Sequence, residues 1–167
     1  MKSDVQIMPY DSITHQAAAI NLWEDVFGYE TAHNEPRLVL QKKEAVDDGL
    51  FFVSLSETGK VTGTVMCGYD GHRGWIYSLA VSPELQGSGI GSALMNHAEK
   101  TLEELGCMKI NLQIVENNKE VQAFYEKLGF STEKRISMGK RIEPNIPKVK
   151  QSVASKISSP EGSTSQD

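Results

Sequence analysis

Cysteine is nearly absent from this chain, with two in 167 residues. That excludes a disulfide framework, and neither Cys67 nor Cys107 sits in a C-x-x-C pair or beside a His-rich spacing able to hold a metal. Each lies in an apolar, strand-like run and reads as a buried thiol in a reducing compartment; no metal is expected. Long apolar runs are missing too. Nothing approaches the roughly 18 consecutive apolar residues of a membrane span, and residues 1–9 hold no apolar segment of the signal-peptide kind. No membrane partner is expected, and the expected location is cytoplasmic. Basic charge is in deficit, 17 Lys and Arg against 22 Asp and Glu, for a net charge of −5. A nucleic-acid partner is therefore not expected, because binding phosphates needs a basic stripe to displace their counterions. A cationic substrate fits the sign better. Finally, no Walker-type string of Gly, four residues, Gly, Lys and Ser or Thr occurs.

What the chain does have is Gln86-Gly87-Ser88-Gly89-Ile90-Gly91, between an apolar run at 76–81 and an amphipathic helical pattern that starts at Ile90. Glycine lets a backbone turn through positive φ and approach a ligand closely, and the first amides of a helix have no partners inside it. Together they make an anion cradle, with phosphate the expected guest. A dinucleotide loop needs G-x-G-x-x-G, whereas here the run is G-x-G-x-G with Ser92 in the place of the third glycine. Ordinary punctuation before a helix remains the alternative.

Around this loop, 39% apolar content in 167 residues suits one domain with a sizeable core. Val5 and Ile7 suggest a first strand; Asp11 or Ser12 then caps a helix carrying Ile13, Ala17, Ile20, Trp23 and Phe27 on one face. Asn34 and Pro36 announce a second helix, to about Val46. Strands follow over 50–55, 61–67 and 75–81, joined by turns at 57–60 and at Asp70-Gly71. Ile90, Leu94, Ala98, Leu102 and Leu105 make the apolar face of a helix closed by Gly106. Residues 108–115 alternate like a strand, Asn118 caps a helix closed by Gly129, and 130–141 read as a last strand or short hairpin. From 143 onward Pro, Ser, Lys and Gly dominate without period, so a domain over 1–142 and a disordered tail over 143–167 are expected.

The resulting order, β-α-α-β-β-β-α-β-α-β with the glycine loop after the fourth strand, resembles that of the GNAT superfamily of acyl-CoA-dependent N-acyltransferases. Q-x-x-G-x-G after a strand is similar to that family's pyrophosphate loop. A second motif, Asn118-Lys119-Glu120-Val121-Gln122-Ala123-Phe124-Tyr125-Glu126-Lys127-Leu128-Gly129-Phe130, resembles its N-x-x-A-x-x-x-Y-x-x-x-G-F segment apart from the place of the alanine. Residues 61–142 are similar to a GNAT core, close to the RimI-like group and to YpeA-type members. The resemblance implies an α/β fold with a mixed, mostly antiparallel sheet flanked by helices. It implies acetyl-CoA as cosubstrate, its pantetheine on the backbone of Leu79, Ala80 and Val81. The diphosphate would then lie on Gln86, Gly87, Ser88, Gly89, Ile90, Gly91 and Ser92. Asn118 matches the position that helps hold the pantetheine arm, with a plain N-cap as the other reading. Tyr125 matches the family's general acid, able to protonate a departing thiolate; a packing tyrosine is its other reading.

The chain also departs from that pattern. Ser88 stands where many members carry Arg or Lys, so a charge-assisted contact is missing and a hydroxyl donor remains. Gln113 and Trp75 occupy the positions where relatives place a glutamate base, and neither side chain accepts a proton at neutral pH. Glu116 lies at the wrong strand parity to replace it, while Glu24, Asp25, Glu30 and His33 border the expected acceptor side; a water chain is a further route. A lysine amine of pKa ~10.4 costs about 4.6 kcal/mol to deprotonate at pH 7, an α-amine near ~8 only about 1.4 kcal/mol. Without a strong base the α-amine of a peptide, protein N-terminus or amino acid, or an activated small amine, is the expected acceptor. His72 and Arg73 are either solvated turn residues or contacts for an acceptor carboxylate. The short span between the candidate last strands suggests an open groove, suited to a macromolecular acceptor or to a second copy in a homodimer. A non-catalytic acyl-CoA-binding module and a phosphate- or nucleotide-binding regulatory domain are the competing readings.

Overall fold

The computed structural model describes residues 5–28 and 34–142. Its sheet begins with β1 (Gln6–Pro9), after which Asp11 caps α1 (Ser12–Phe27) by accepting from the Thr14 amide at 2.9 Å and its hydroxyl at 2.8 Å. The buried stripe of α1 is His15, Ala19, Ile20, Leu22 and Trp23, while Ile13 is 92% exposed. Of the face expected from Ile13, Ala17, Ile20, Trp23 and Phe27, Ile20 and Trp23 are buried as expected, whereas Ile13, Ala17 and Phe27 are exposed. Positions 15, 19, 22 and 23 follow the i, i+4, i+7, i+8 template, which turns the buried stripe away from 13 and 17. His15 joins the buried face because its Nδ1 accepts from the Asp11 amide at 3.0 Å.

The second helix, α2 (Pro36–Val46), opens with proline in its first turn, and the Glu35 carboxylate caps the amides of Arg37 and Leu38. Three antiparallel strands follow: β2 (Phe51–Leu55), β3 (Val61–Tyr69) and β4 (Gly74–Val81). Their apolar, β-branched character and tight turns make them legible, and β1 pairs antiparallel with β2. Beyond the glycine turn come α3 (Ile90–Glu104), β5 (Ile110–Asn111) and α4 (Lys119–Lys127). The sheet order is β1-β2-β3-β4-β5, with β5 parallel to β4. One core lies under α3 and α4, built on Phe52, Val65, Ile76, Leu94, Met95 and Tyr125. The other lies under α1 and α2, built on Trp23, Leu40, Phe51, Val53, Met66 and Ala80.

Two expectations about strands are corrected. The strand expected over 108–115 shrinks to Ile110–Asn111, paired with Gly74 and Trp75 only. Beyond that point β4 changes course at a bulge, where its register against β3 shifts and Ser78 adopts φ 48°. The last strand expected over 130–141 does not form; residues 132–142 have neither helix nor strand. Ile136 and Met138, at 91% and 92% exposure, stand among Lys134, Arg135, Lys140 and Arg141, too little apolar surface to seat one face of a strand. The chain divides into two compact units, 1–131 and 132–167, and every element named above belongs to the first. The expected tail over 143–167, like Glu30 and His33, lies outside the described residues.

Candidate active site

The strongest local feature is still the glycine turn. After a single 3-10 turn at Pro83–Leu85, the Gln86 amide group folds back to donate to the Val81 carbonyl at 3.2 Å, tying the loop to the end of β4. Gly87 at φ 79° and Gly89 at φ 97° take the left-handed conformation, and a Cβ on either would meet nothing within 4 Å. Their glycines serve the backbone turn, since nothing crowds them. The first α3 bond of the i to i−4 kind runs from Ala93 to Gly89, so the amides of Ile90, Gly91 and Ser92 precede it and lack helical acceptors. Ser88 is otherwise engaged: its hydroxyl donates to the Leu85 carbonyl at 2.5 Å, so the hydrogen bond expected of it toward an anion is already spent inside the loop.

The strand leading into this turn has an open side. From Ile76 to Val81 the edge of β4 away from β3 has no strand partner among the described residues. Leu79 and Val81 pack into the α3 core and Ala80, 2% exposed, into the α1/α2 core, so their side chains serve packing while their peptide groups border the gap. The bulge between the two arms is pinned from below. The Trp23 indole N–H donates to Thr64 Oγ1 at 2.9 Å, and that hydroxyl donates to the Ser78 carbonyl, also at 2.9 Å. Trp23, Thr64 and Ser78 are the residues sequence reasoning missed: their partners lie 41 and 14 positions apart, beyond any local pattern.

The second motif meets the first in space. Asn118 caps α4, accepting from the Val121 amide at 3.2 Å through Oδ1. A Cβ on Gly91 would come within 3.3 Å of the Phe124 ring and 3.7 Å of Val81, so α4, the start of α3 and the end of β4 close on one point. Tyr125, 7% exposed, sits in the same core as Ile90 and Leu94, edge-on to Phe124 and Phe130. Burial pushes its phenol up to about 12, so the ring carries its proton throughout the neutral range.

Among the described residues, no expected carboxylate base joins this cluster. Glu24, Asp25 and Glu116 are exposed, and Gln113 falls beyond the end of β5. Trp75 lies on the α2 side of β4 beside Tyr77, where both line a cavity with Lys43, Val46 and Met66.

A sequence model described as the acetyltransferase (GNAT) family matches residues 14–130. The chain belongs to the GNAT acetyltransferase family. Solved structures share the fold at low identity. A PaiA N-acetyltransferase from Thermoplasma acidophilum, solved in complex with coenzyme A, is similar over 80% of this chain and 94% of its own, at 17% identity and TM-score 0.70. The ribosomal-protein-S18-alanine N-acetyltransferase of Escherichia coli matches over 76% and 77%, at 24% identity and TM-score 0.62. Glucosamine-6-phosphate N-acetyltransferase of Arabidopsis thaliana matches over 84% and 100%, at 23% identity and TM-score 0.61. GNAT acyl transfer draws on acetyl-CoA, and no described helix is long and apolar enough to cross a membrane.

Proposed function

We propose that this GNAT protein is an N-acetyltransferase of the RimI-like or YpeA-type group, moving an acetyl group from acetyl-CoA to a primary amine by direct attack in a ternary complex. The observation that carries the reading is the continuity of one backbone surface: the open β4 edge from Ile76 to Val81 leads into the unsatisfied amides of Ile90, Gly91 and Ser92. This surface fits an elongated ligand ending in a diphosphate. Peptide groups of Leu79, Ala80 and Val81 would hold its arm, and the turn from Gln86 to Ser92 its charge. Asn118 spends Oδ1 on its cap and keeps its amide hydrogens for the same arm.

Bound acetyl-CoA would supply an activated thioester, and the residues here have two tasks. Tyr125, kept neutral by burial, donates its proton toward the departing sulfur. The acceptor must arrive as a free amine, and among the described residues Glu24, Asp25 and Glu116 are exposed and stand apart from the Tyr125 cluster. That favours a peptide or protein α-amine, or another low-pKa amine, over a lysine side chain, by about 3 kcal/mol at neutral pH.

The test is thiol release with acetyl-CoA on a panel of α-amines and lysine side chains, with Tyr125→Phe alongside. Turnover on α-amines that falls about 100-fold or more in the phenylalanine variant is expected. Acetyl-CoA that fails to raise the melting temperature, or a variant as fast as wild type, would overturn the assignment.

A further inference from the structure

The cavity beside the bulge has a chemistry of its own. It occupies about 390 Å³ on the α2 side of β4, toward the lower end of the roughly 300–1,000 Å³ of ligand sites. Trp75 and Tyr77 project into it side by side, ring centroids 6.5 Å apart and planes within 20° of parallel, and Tyr77 is 49% exposed. Met66, which pairs with Tyr77 across the strands, and Val46 complete an apolar wall. Tyr77 immediately precedes Ser78, so whatever rests on its ring lies next to the bulged backbone.

Among the described residues, the one cation of the cavity lining is already committed. The Lys43 ammonium lies 2.7 Å from Asp48 Oδ2 and donates to the Cys67 carbonyl. Asp48 Oδ1 accepts from the Leu50 amide, and Asp70 Oδ1 accepts from the amides of His72 and Arg73. Lys43 is thus neutralised and Asp70 leaves the lining acidic. Residues 1–131 as a whole carry eighteen Asp and Glu against ten Lys and Arg. A phosphate or carboxylate acceptor has no free cation to meet in the lining. Among the described lining residues a sugar would find side-chain partners only in the Tyr69 and Tyr77 phenols and the Asp70 carboxylate, and its other hydroxyls would face Met66, Val46 and Trp75 at a desolvation cost. An amine carrying a flat apolar body meets neither obstacle, since the aromatic and apolar walls take the body and the acidic lining does not repel the amine in either protonation state.

We infer that this cavity selects the acceptor: it receives an aromatic or large aliphatic group borne within one residue of the reacting amine, so that the acceptors are α-amines of chains beginning with an apolar residue, or arylalkylamines. The inference rests on the acetyl-transfer reading above. Its test uses the full chain, acetyl-CoA and matched short peptides differing only in their first residue, Phe, Leu, Ser or Asp, with an amino sugar as a further acceptor.

The expected kcat/KM is at least about tenfold higher for Phe or Leu than for Ser, in line with one extra apolar group in a pocket. Tyr77→Ala should bring that ratio toward one while leaving acetyl-CoA binding and the melting temperature near wild type, and Tyr77→Phe should restore it. Turnover on peptides without a preference for Phe or Leu, or a preference that survives Tyr77→Ala, would overturn the inference and leave acetyl transfer standing. Coenzyme A binding with no turnover on any acceptor would overturn both.

Discussion

Thr64→Val removes one oxygen from the middle of the fold and keeps its shape. Thr64 is fully buried, accepts the Trp23 indole hydrogen at 2.9 Å and donates to the Ser78 carbonyl at 2.9 Å. Valine leaves both groups in place and both without a partner. Each stranded buried group costs about 1–3 kcal/mol, so the variant should lose about 2–6 kcal/mol. For a chain of this size that is a melting temperature lower by about 5–15 °C. Thr64→Ser keeps the hydroxyl and removes a buried methyl, for about 1 kcal/mol. Urea unfolding of the two variants separates the hydrogen bonds from the packing. Adding Trp23→Phe removes the stranded donor, so the valine substitution should then cost less, by about 1 kcal/mol or more. A valine variant within about 0.5 kcal/mol of the serine variant, or strict additivity with Trp23→Phe, would refute the idea that this relay holds the bulge.

Three further outcomes follow from the site. Gly87→Ala places its methyl in open space, so its cost is backbone strain alone, about 1–2 kcal/mol, and calorimetry should show weakened coenzyme A binding if the turn must keep its shape to bind. Gly91→Ala instead presses a methyl to 3.3 Å of Phe124, and should displace α4 and slow turnover more than it weakens the fold. The third concerns alkali: Tyr125 is raised by burial from 10.0 to about 12, so from that group stability is flat below pH 10 and falls as the unfolded chain ionises first, between pH 10 and 12. Wild type should lose about 2–3 kcal/mol more than Tyr125→Phe across that window, measured by urea midpoints at successive pH; parallel curves would deny the buried, neutral phenol.

The parts of the fold that could be read in advance are those whose cause is local. Asp11 with Thr14, Pro36 at a first turn, Gly106 at φ 88° and the apolar runs and tight turns of the three hairpin strands each state their geometry within a few residues. The glycine turn and the α4 motif were legible for the same reason, and they do meet at Gly91 and Phe124. The phase of α1 was not, because His15 is buried by a bond to its own cap and Ile13 points away from any sheet. Nor were the two-residue length of β5, the missing strand after Phe130 and the aromatic cavity. The length of β5 and the cavity depend on where β4 turns.

That turn explains a choice of residue that nothing local requires. Ile76 and Ala80 are four apart and would share a face in a regular strand, yet one lies in the α3 core and the other in the α1/α2 core. Trp75 and Tyr77 look toward α2, whereas Leu79 and Val81 look toward α3. Only an inserted residue does this, and Ser78 carries it at φ 48°, a strain of order 1–2 kcal/mol for a residue with a side chain. A buried position in the middle of β3 would be filled equally well in shape by valine. Threonine there, joined to an indole on α1, supplies two hydrogen bonds whose one structural consequence is to fix the Ser78 carbonyl. The bulge is therefore held from the core side, while the opposite edge of β4 beyond Trp75 has no strand partner among the described residues and lies open toward the glycine turn.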